Sequence, residues 1–237
     1  MRAAVIVAGG GGERFGRPGG KQLAEVAGAP VAGHALRAFE AASSIDVVVL
    51  VCHPDRVEEY RDAVVASAGA RKVIAVVGGG ATRRQSVAAG LRALPAEADL
   101  VAVHDGARPL VEPGVIDAAV AALEARADVD GVVVGHRAFD TVKTVAPSLL
   151  VTGTPDREGL WIAQTPQVFR TRALLRAHAQ ADEAGFEGTD DASLVERAGG
   201  VVLMHEGPRW NIKITVPEDL AVAGALLRDR AGRSGDV

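Results

Sequence analysis

The chain has little of the chemistry that marks several common classes of protein. Its single cysteine, Cys52, stands in an apolar run, which predicts a buried core thiol and disfavours disulfide or cysteine–metal chemistry. Aromatic residues make up only 3% of the sequence, and no apolar stretch is long enough to span a bilayer. A net charge of −4 argues against a general nucleic-acid binder, which needs a basic face. Because a core strand is predicted from residue 3, we expect no signal peptide and a cytoplasmic protein without nucleic-acid or membrane partners.

Several catalytic motifs are also missing. The histidines have no metal-ligand spacing such as His-Glu-x-x-His, and there is no Gly-x-Ser-x-Gly. An early apolar run ends in Gly9–Gly12, but the third glycine of a dinucleotide fingerprint would fall on Arg14 or Phe15. The P-loop pattern fails as well, because Gln22 follows Lys21. The glycine loops, cations and strand-end acid that remain are typical of phosphoryl or nucleotidyl transfer.

The order of apolar segments predicts the fold class. With 237 residues, the chain suits one α/β domain with a substantial core. Valine-rich runs alternate with alanine-rich helical patterns, which indicates a single doubly wound, mostly parallel sheet with its ligand at the carboxyl ends of the strands. Strands are predicted over Ala3–Ala8, Val47–Cys52, Val73–Val77, Leu100–His104, Gly131–Val134, Val201–His205 and Asn211–Thr215. Helices are predicted over Val31–Ala42, Asp55–Ser67, Gln85–Leu94, Pro113–Arg126, Thr171–Ala184, Asp191–Ala198 and Pro217–Arg228.

One stretch, residues 136–161, interrupts this alternation. Two short β-capable pieces around Pro147 predict a protruding hairpin, the β-arm. An arm with so little apolar content of its own packs on a partner subunit or remains a loose surface hairpin, and the pattern leaves both open. The polar tail, residues 229–237, is predicted to fray.

The first glycine loop is the leading candidate for a phosphate site. Glycines let main-chain N–H groups approach an anion, and Arg14 and Lys21 follow where they can meet its charge. A tight β-to-α turn without a ligand is the alternative.

Three later positions are further candidates. Asp105 follows a buried strand, where a carboxylate can hold Mg²⁺ together with substrate phosphates, or can cap a turn or pair with Arg108. In a second glycine loop, Gly78–Gly80, backbone groups and Ser86 can read a base edge, although the loop can equally be a turn that starts a helix. Lys213 is a lone cation in a β-like stretch, and it binds phosphate or simply faces solvent.

Taken together, these segments resemble the 2-C-methyl-D-erythritol 4-phosphate cytidylyltransferases of the non-mevalonate isoprenoid pathway. The resemblance covers nearly the whole chain and rests on eight motifs in register. They are Ala8–Arg14 with Lys21-Gln22, Gly79–Val87, His104–Pro109, Asp140–Lys143, Asp156–Trp161, Thr165–Gln167, Thr189–Ser193 and Asn211–Thr215. The chain departs from the usual pattern at Val7, where proline is common, at Gly9, which replaces an alanine, and at Trp210 beside the phosphate-binding lysine.

The resemblance implies a Rossmann-like nucleotidyltransferase fold and a reaction. Methylerythritol phosphate would attack the α-phosphorus of CTP, the co-substrate, and release pyrophosphate, with Mg²⁺ or another divalent cation held by Asp105. The catalytic residues implied are Arg14, Lys21 and Lys213. The nucleotide-binding set implied is Ala8, Gly9, Gly10, Gly12, Gly79, Gly80, Ala81, Ser86 and Asp105.

The resemblance also implies an acceptor pocket that two subunits share. In the family, residues that match Thr141 and Arg157 reach the sugar phosphate from the neighbouring subunit, so the β-arm is expected to form a homodimer. Arg108, Thr165 and Thr189 would complete that pocket. A ribitol 5-phosphate cytidylyltransferase and a non-catalytic nucleotide-binding protein of the same fold remain the alternatives. A glycosyltransferase is disfavoured, because the Asp128-x-Asp130 sequence precedes a strand instead of ending one.

Overall fold

The structure is a computed structural model that describes residues 1–10, 15 and 20–234. Gly12 and Arg14, two of the predicted site residues, lie outside the described residues. The strands are β1 (Arg2–Val7), β2 (Glu25–Val26), β3 (Ala29–Pro30), β4 (Val47–Cys52), β5 (Val73–Gly78), β6 (Leu100–Asp105), β7 (Gly131–Arg137), β8 (Thr144–Val145), β9 (Val151–Gly153), β10 (Trp161–Arg170) and β11 (Val202–Glu206). The α-helices are α1 (Val31–Ala41), α2 (Val57–Tyr60), α3 (Arg83–Arg92), α4 (Pro113–Glu124), α5 (Thr171–Glu183), α6 (Asp191–Arg197) and α7 (Glu218–Ser234).

Seven strands form one sheet in the order β11-β7-β10-β6-β1-β4-β5. Every neighbouring pair is parallel except the two pairs that β10 makes, with β6 and with β7. The predicted mostly parallel sheet is therefore confirmed. Within this sheet the chain passes from β1 to β4 and β5 on one side and then returns to β6 on the other side of β1. The crevice between β1 and β6 is therefore a topological switch point, the usual ligand site of such sheets.

Two strand predictions were wrong. The sequence pattern missed β10, because Pro166 and three polar residues interrupt its apolar run. The structure accommodates the proline with a register shift between Ala163 and Gln167, so β10 leaves the β7 ladder at that point. Residues 211–215 were predicted as a strand, but they belong to no strand in the described part of the chain.

Helices cover both faces of the sheet because alternate strand residues point to opposite sides. One core gathers Ile6, Leu50 and Ala102 with side chains of α1 and α4, whereas the other gathers the odd-numbered neighbours Val5, Val49 and Val103 with α3, α5 and α6. These positions are essentially inaccessible, and each fully buried valine or leucine side chain contributes about 1.5–3 kcal/mol. The burial keeps the carboxyl ends of β1 and β6 side by side.

Close packing of α3 sets where the second glycine loop lies. A Cβ atom at Gly90 would come within 2.4 Å of Val5 Cγ1, so only glycine lets α3 approach β1 this closely. The amino-terminal end of α3 is thereby held above the β1–β6 crevice.

Residues 136–161 differ in detail from the predicted β-arm. Strand β7 continues to Arg137 and β10 begins at Trp161, while β8 and β9 pair with each other as a small antiparallel hairpin separate from the main sheet. Helix α7 continues to Ser234, beyond its predicted end at Arg228 and into the segment predicted to fray. Among the described residues, no helix is long and apolar enough to cross a membrane.

Candidate functional site

A cavity of about 210 Å³ lies at the carboxyl ends of β1 and β6, where the fold predicts a ligand. Its wall is built from the two glycine loops, the end of β6 and the segment before α7. The wall residues are Val7, Gly9, Gly10, Lys21, Gln22, Gly80, Ala81, Arg83, Ser86, Asp105, Ala107 and Lys213. A larger cavity of about 440 Å³ lies between α3 and α5, but its wall contains neither the lysines nor Asp105. The candidate catalytic residues therefore line the smaller cavity, and not the larger one.

The first glycine loop is packed tightly on the neighbouring strand. Ala8 donates its N–H to the Val51 carbonyl (2.6 Å), and its own carbonyl accepts the Tyr60 hydroxyl (2.9 Å). A Cβ atom at Gly9 would lie 2.9 Å from the Cys52 carbonyl oxygen, which leaves no room for the alanine that is usual there. Burial raises the pKa of the Cys52 thiol to about 11, so it stays a neutral core group, as the sequence predicted.

Side chains of α3 hold the second glycine loop. Thr82 caps the helix by accepting the Gln85 N–H (3.2 Å), which confirms the helix-start interpretation of this segment. Ser86 Oγ accepts the Gly80 N–H (3.2 Å) and donates to the Thr82 carbonyl (2.9 Å). Gly79 donates to the Cys52 carbonyl (2.7 Å), so this loop and the first one rest on the same strand end. The Ser86 hydroxyl therefore orders the loop whose backbone faces the cavity.

Asp105 is the acidic centre of the cavity. Its Oδ1 accepts from Arg83 Nε at 3.1 Å, and its Oδ2 lies 2.7 Å from Lys213 Nζ. Burial by itself would raise the pKa of this carboxyl, but the charges of Arg83 and Lys213 outweigh that effect and hold it well below its usual range. The carboxylate is thus ionised at neutral pH. Its side chain pairs with these two cations, whereas the Arg108 backbone N–H bonds only its carbonyl (2.9 Å).

Lys213 is held by a segment with several anchors. Ile214 donates its N–H to the Ala107 carbonyl (2.8 Å), and the Asp219 carboxylate accepts the Thr215 N–H (2.6 Å). On the other side, the fully buried Asn211 donates from Nδ2 to the Thr165 carbonyl (2.8 Å). These hydrogen bonds hold the segment in place although it is not part of a strand. They direct the partly exposed lysine towards Asp105.

Thr165 belongs to a buried network behind Asp105. Its hydroxyl accepts the Asp105 N–H (3.1 Å) and lies 3.0 Å from His104 Nδ1, while His104 Nε2 lies 3.3 Å from the Arg108 carbonyl. Burial lowers the pKa of His104 to about 4, against the attraction of Asp105, so the ring is neutral at physiological pH. Arg108 also donates from Nη1 to the Asn211 carbonyl (2.8 Å). Thr165 and Arg108 therefore organise the wall from behind and do not line the cavity themselves.

Three residues predicted to bind the acceptor are exposed and lie outside the cavity wall of their own chain. Thr141 and Arg157 are on the β-arm, where Arg157 donates from Nη1 to the Phe139 carbonyl (2.8 Å). Thr189 precedes α6. The same arm exposes apolar side chains, with Leu149 82% and Leu150 71% accessible. Exposed apolar groups clustered on one projection are typical of a protein interface.

The cavity wall offers the carboxylate of Asp105 as a ligand for a divalent cation. Among the described residues, no group of three His, Cys, Asp or Glu side chains could hold a metal ion. An ionised Asp105 on the cavity wall nevertheless fits Mg²⁺, which binds through one or two carboxylates, water and substrate phosphates instead of a full protein cage.

Sequence reasoning missed parts of this site. Gln22 and Arg83 line the cavity, and Asp191 and His178 extend its ion pairs into the interior. Gln22 and Arg83 stand inside motifs that the sequence analysis recognised. Their short spacing from the two glycine loops could have identified them as residues of the site. Asp191 stands inside the Thr189–Ser193 motif, whereas His178 lies outside every recognised motif, and only tertiary contact pairs the two.

Comparisons with known proteins agree with this geometry. The sequence profile of the family described as IspD, 2-C-methyl-D-erythritol 4-phosphate cytidylyltransferase, matches residues 2–229. The chain is 46% identical to the protein of that name from Pelotomaculum thermopropionicum, over 99% of this chain and 98% of the relative. It is 43% identical to that of Geotalea uraniireducens, over 95% and 96% of the two chains.

Solved structures are similar as well. The 4-diphosphocytidyl-2C-methyl-D-erythritol synthase of Anaerococcus prevotii superposes with a TM-score of 0.83 at 28% identity, over 96% of each chain. The 2-C-methyl-D-erythritol 4-phosphate cytidylyltransferase of Thermus thermophilus superposes with a TM-score of 0.75 at 32% identity, over 96% of this chain and all of that one. With its fold and nearly its whole length matched, the chain belongs to the 2-C-methyl-D-erythritol 4-phosphate cytidylyltransferase family.

Proposed function

We propose that this enzyme transfers the cytidylyl group of CTP to 2-C-methyl-D-erythritol 4-phosphate, giving 4-diphosphocytidyl-2-C-methyl-D-erythritol and pyrophosphate for isoprenoid precursor synthesis. The observation that carries the proposal is the gathering of Lys21, Lys213 and Asp105 around one cavity at the β1–β6 switch point. Such a set of cations with one carboxylate suits a reaction between two polyanions. Family membership supplies the identity of the two substrates.

The chemistry needs little help from a base. A phosphate monoester is largely dianionic near neutral pH, so one of its oxygens can attack the α-phosphorus directly. An O–Pα bond forms as the bond from Pα to the pyrophosphate oxygen breaks, and the leaving group carries away the electron pair. His104 has no part in this step, because it is buried, neutral and behind the cavity wall.

Charge stabilisation is then the main task of the protein. Lys21 would neutralise the departing pyrophosphate together with Arg14, and Lys213 would meet the α-phosphate and align the incoming phosphate. Preorganised donors of this kind contribute about 3–4 kcal/mol each, because they need no reorganisation as charge develops.

Asp105 would hold Mg²⁺ through the carboxylate oxygen that faces the cavity. When bound, the ion would neutralise nucleotide phosphate charge and restrict the geometry of the triphosphate. The Lys213 Nζ atom now lies 2.7 Å from that oxygen, so the protein itself keeps the carboxylate ionised and oriented.

Cytosine recognition is assigned to the loops around Gly9, Gly79, Ala81 and Ser86, with Ala8, Gly10, Gly12 and Gly80 as their backbone neighbours. The loops leave main-chain groups as the nearest donors and acceptors for a base edge. Both loops are held in place against the end of β4, because Ala8 and Gly79 donate to the Val51 and Cys52 carbonyls.

We also propose a homodimer in which the β-arm of one subunit completes the acceptor pocket of the other. The support is the set of exposed apolar side chains on the arm, together with the position of Thr141 and Arg157 away from their own cavity wall. Arg108, Thr165 and Thr189 would shape the same pocket from within the subunit. The cytoplasmic location expected from the sequence stays a prediction.

A mixing experiment tests the shared pocket. Lys213→Ala disables the cavity and Arg157→Ala impairs the arm, so each variant alone should have little activity when the acceptor is kept well below its KM. After subunit exchange, half of the dimers are mixed and each contains one intact site, so about a quarter of the wild-type activity should return. If both residues serve the same subunit, mixing restores nothing and the shared pocket is wrong.

The activity itself is tested by pyrophosphate release. The purified protein is incubated with Mg²⁺ and each nucleoside triphosphate, with either methylerythritol phosphate or ribitol 5-phosphate as acceptor. We expect release with CTP and methylerythritol phosphate. Its absence would overturn the proposal, and a preference for ribitol phosphate would select that alternative enzyme.

A further inference from the structure

The ion pairs of Asp105 continue away from the cavity through Arg83. Arg83 begins α3, and its Nε donates to Asp105 Oδ1 (3.1 Å) while its Nη1 donates to Asp191 Oδ2 (2.6 Å). Asp191 begins α6, is fully buried, and places its other oxygen 3.1 Å from His178 Nε2. One guanidinium therefore joins a carboxylate of the cavity wall to a carboxylate of the interior.

This arrangement fixes the cationic partner of each Asp105 carboxylate oxygen. Arg83 occupies Oδ1, so Oδ2 is left facing Lys213, another residue of the cavity wall. Burial alone would lower the pKa of Arg83, but the charges of Asp191 and Asp105 raise it above its ordinary value. A planar, permanently charged guanidinium can bond two carboxylates along fixed directions, whereas a lysine ammonium is a point charge without that fork.

The inner partner, Asp191, lies in the segment predicted to approach the acceptor. That segment has a second anchor in Gln167, which donates from Nε2 to Asp190 Oδ2 (2.7 Å) and accepts the Ala192 N–H (3.1 Å). Arg83 thus connects the helix of the nucleotide loop, the metal-binding acid and the acceptor segment. The two bonds that make this connection are 3.1 Å and 2.6 Å long, and both come from the same guanidinium group.

We infer that Arg83 is a positioning residue for cytidylyl transfer, which orients Asp105 for the metal–nucleotide complex and ties the nucleotide half of the site to the acceptor half through Asp191. The inference rests on the proposed function, and it assigns a task to a cavity-wall residue through its ion pairs with Asp105 and Asp191. Loss of an oriented partner of this kind typically lowers metal affinity or activity by about 10- to 100-fold.

The neighbouring arginine provides a matched control. Arg84 also holds two carboxylates, Asp182 at 3.0 Å and Glu187 at 3.0 Å, and it stands on the same turn of α3. Its partners lie on α5 and the following loop, away from Asp105. Arg84→Lys therefore removes a forked ion pair with more exposed carboxylates, without touching the cavity wall.

The test compares Arg83→Lys with Arg84→Lys by calorimetric titration of CTP, once with Mg²⁺ and once with EDTA, and by thermal unfolding. For Arg83→Lys we expect CTP binding with Mg²⁺ to weaken by about tenfold or more, while binding in EDTA changes less than about threefold. Arg84→Lys should change neither dissociation constant. Equal behaviour of the two variants, or a loss that occurs equally with and without Mg²⁺, would overturn the inference.

If Arg83→Lys is too unstable to measure, a second pair of variants tests the same inference. Arg83→Gln combined with Asp191→Asn removes both interior charges together, so no unpaired buried charge remains at Asp191. We expect this double variant to fold and to show the same selective loss of Mg²⁺-dependent CTP binding. Asp191→Asn alone should raise the KM for the acceptor by about tenfold with little change for CTP, because Arg83 still holds Asp105. Normal kinetics in both variants would contradict the coupling.

These outcomes are separable from a failure of the proposed function. CTP titration needs no acceptor, and the wild-type pyrophosphate assay is run in parallel. If the wild type is inactive with methylerythritol phosphate, the proposed function fails. If the wild type is active and the Arg83 variants bind Mg²⁺ and CTP normally, only the positioning role fails.

Discussion

Lys213 and Asp105 form an ion pair across the cavity, with Nζ 2.7 Å from Oδ2. The two residues come from separate elements, the segment before α7 and the end of β6. Both are assigned to phosphate chemistry, one as a cation and the other as a metal ligand. In the proposed function, nucleotide and metal would therefore have to separate this existing contact, and the ligand phosphates would take the place of the carboxylate beside the lysine.

Asp105→Asn should separate metal-dependent from metal-independent binding. Removing one negative charge from a phosphate pocket leaves CTP binding in EDTA unchanged or tighter, whereas binding with Mg²⁺ should weaken and turnover should fall by about a hundredfold or more. Calorimetric titration in the two buffers measures both effects. Weaker binding in EDTA would show that Asp105 serves only to keep the pocket folded.

Lys21→Ala should lower turnover while the fold survives. Lys21 lines the cavity and is only partly buried, so its loss removes a charge from the reaction without opening the core. A missing preorganised donor costs about 3–4 kcal/mol of barrier, or about 10²- to 10³-fold in kcat. Steady-state kinetics measure the loss, and an unchanged melting temperature excludes unfolding. Near-normal kcat would refute the role.

Stability should depend on pH through His104. Its pKa is about 4 in the folded chain because of burial, and about 6.5 when unfolded, so protonation favours the unfolded chain as the pH falls through that interval. We expect the free energy of unfolding to decrease by about 2 kcal/mol between about pH 7 and pH 5 from this group alone. Urea unfolding of His104→Gln should show a smaller decrease than the wild type over the same pH interval. A variant that keeps the full wild-type slope would contradict this assignment.

Arg157→Ala should weaken use of the acceptor much more than binding of CTP. The guanidinium is exposed on the β-arm and contacts the Phe139 carbonyl (2.8 Å), so its removal leaves the cavity intact. We expect the KM for methylerythritol phosphate to rise by about tenfold or more, with the CTP dissociation constant nearly constant. Arg137→Ala, which removes the cation 5.1 Å above the Trp161 ring, is the matched control on the same arm. Equal losses for both substrates would argue against an acceptor role.

The sequence predicted the fold well where local pattern and burial coincide. Unbroken apolar runs such as Val47–Cys52 are buried on both faces of the sheet, so their composition identifies them as parallel core strands. Strand β10 escaped prediction because Pro166 breaks its pattern, and only the register shift beside that residue lets it stay in the sheet. Pairing with the neighbouring strands makes this segment a strand, and its own residue pattern does not predict one.

The sequence by itself determined which chemical groups are present. The glycine loops, Lys21, Asp105 and Lys213 stand at fixed distances along the chain, and their motifs were enough to identify the family. The tertiary structure alone decided how the charges are arranged: Arg83 bridges Asp105 and Asp191, although the two carboxylates are far apart in the chain. The strength of an ion pair depends on the distance between its charges in space. The sequence gives only spacing along the chain, and the folded sheet sets the spatial distances by bringing the ends of its strands together.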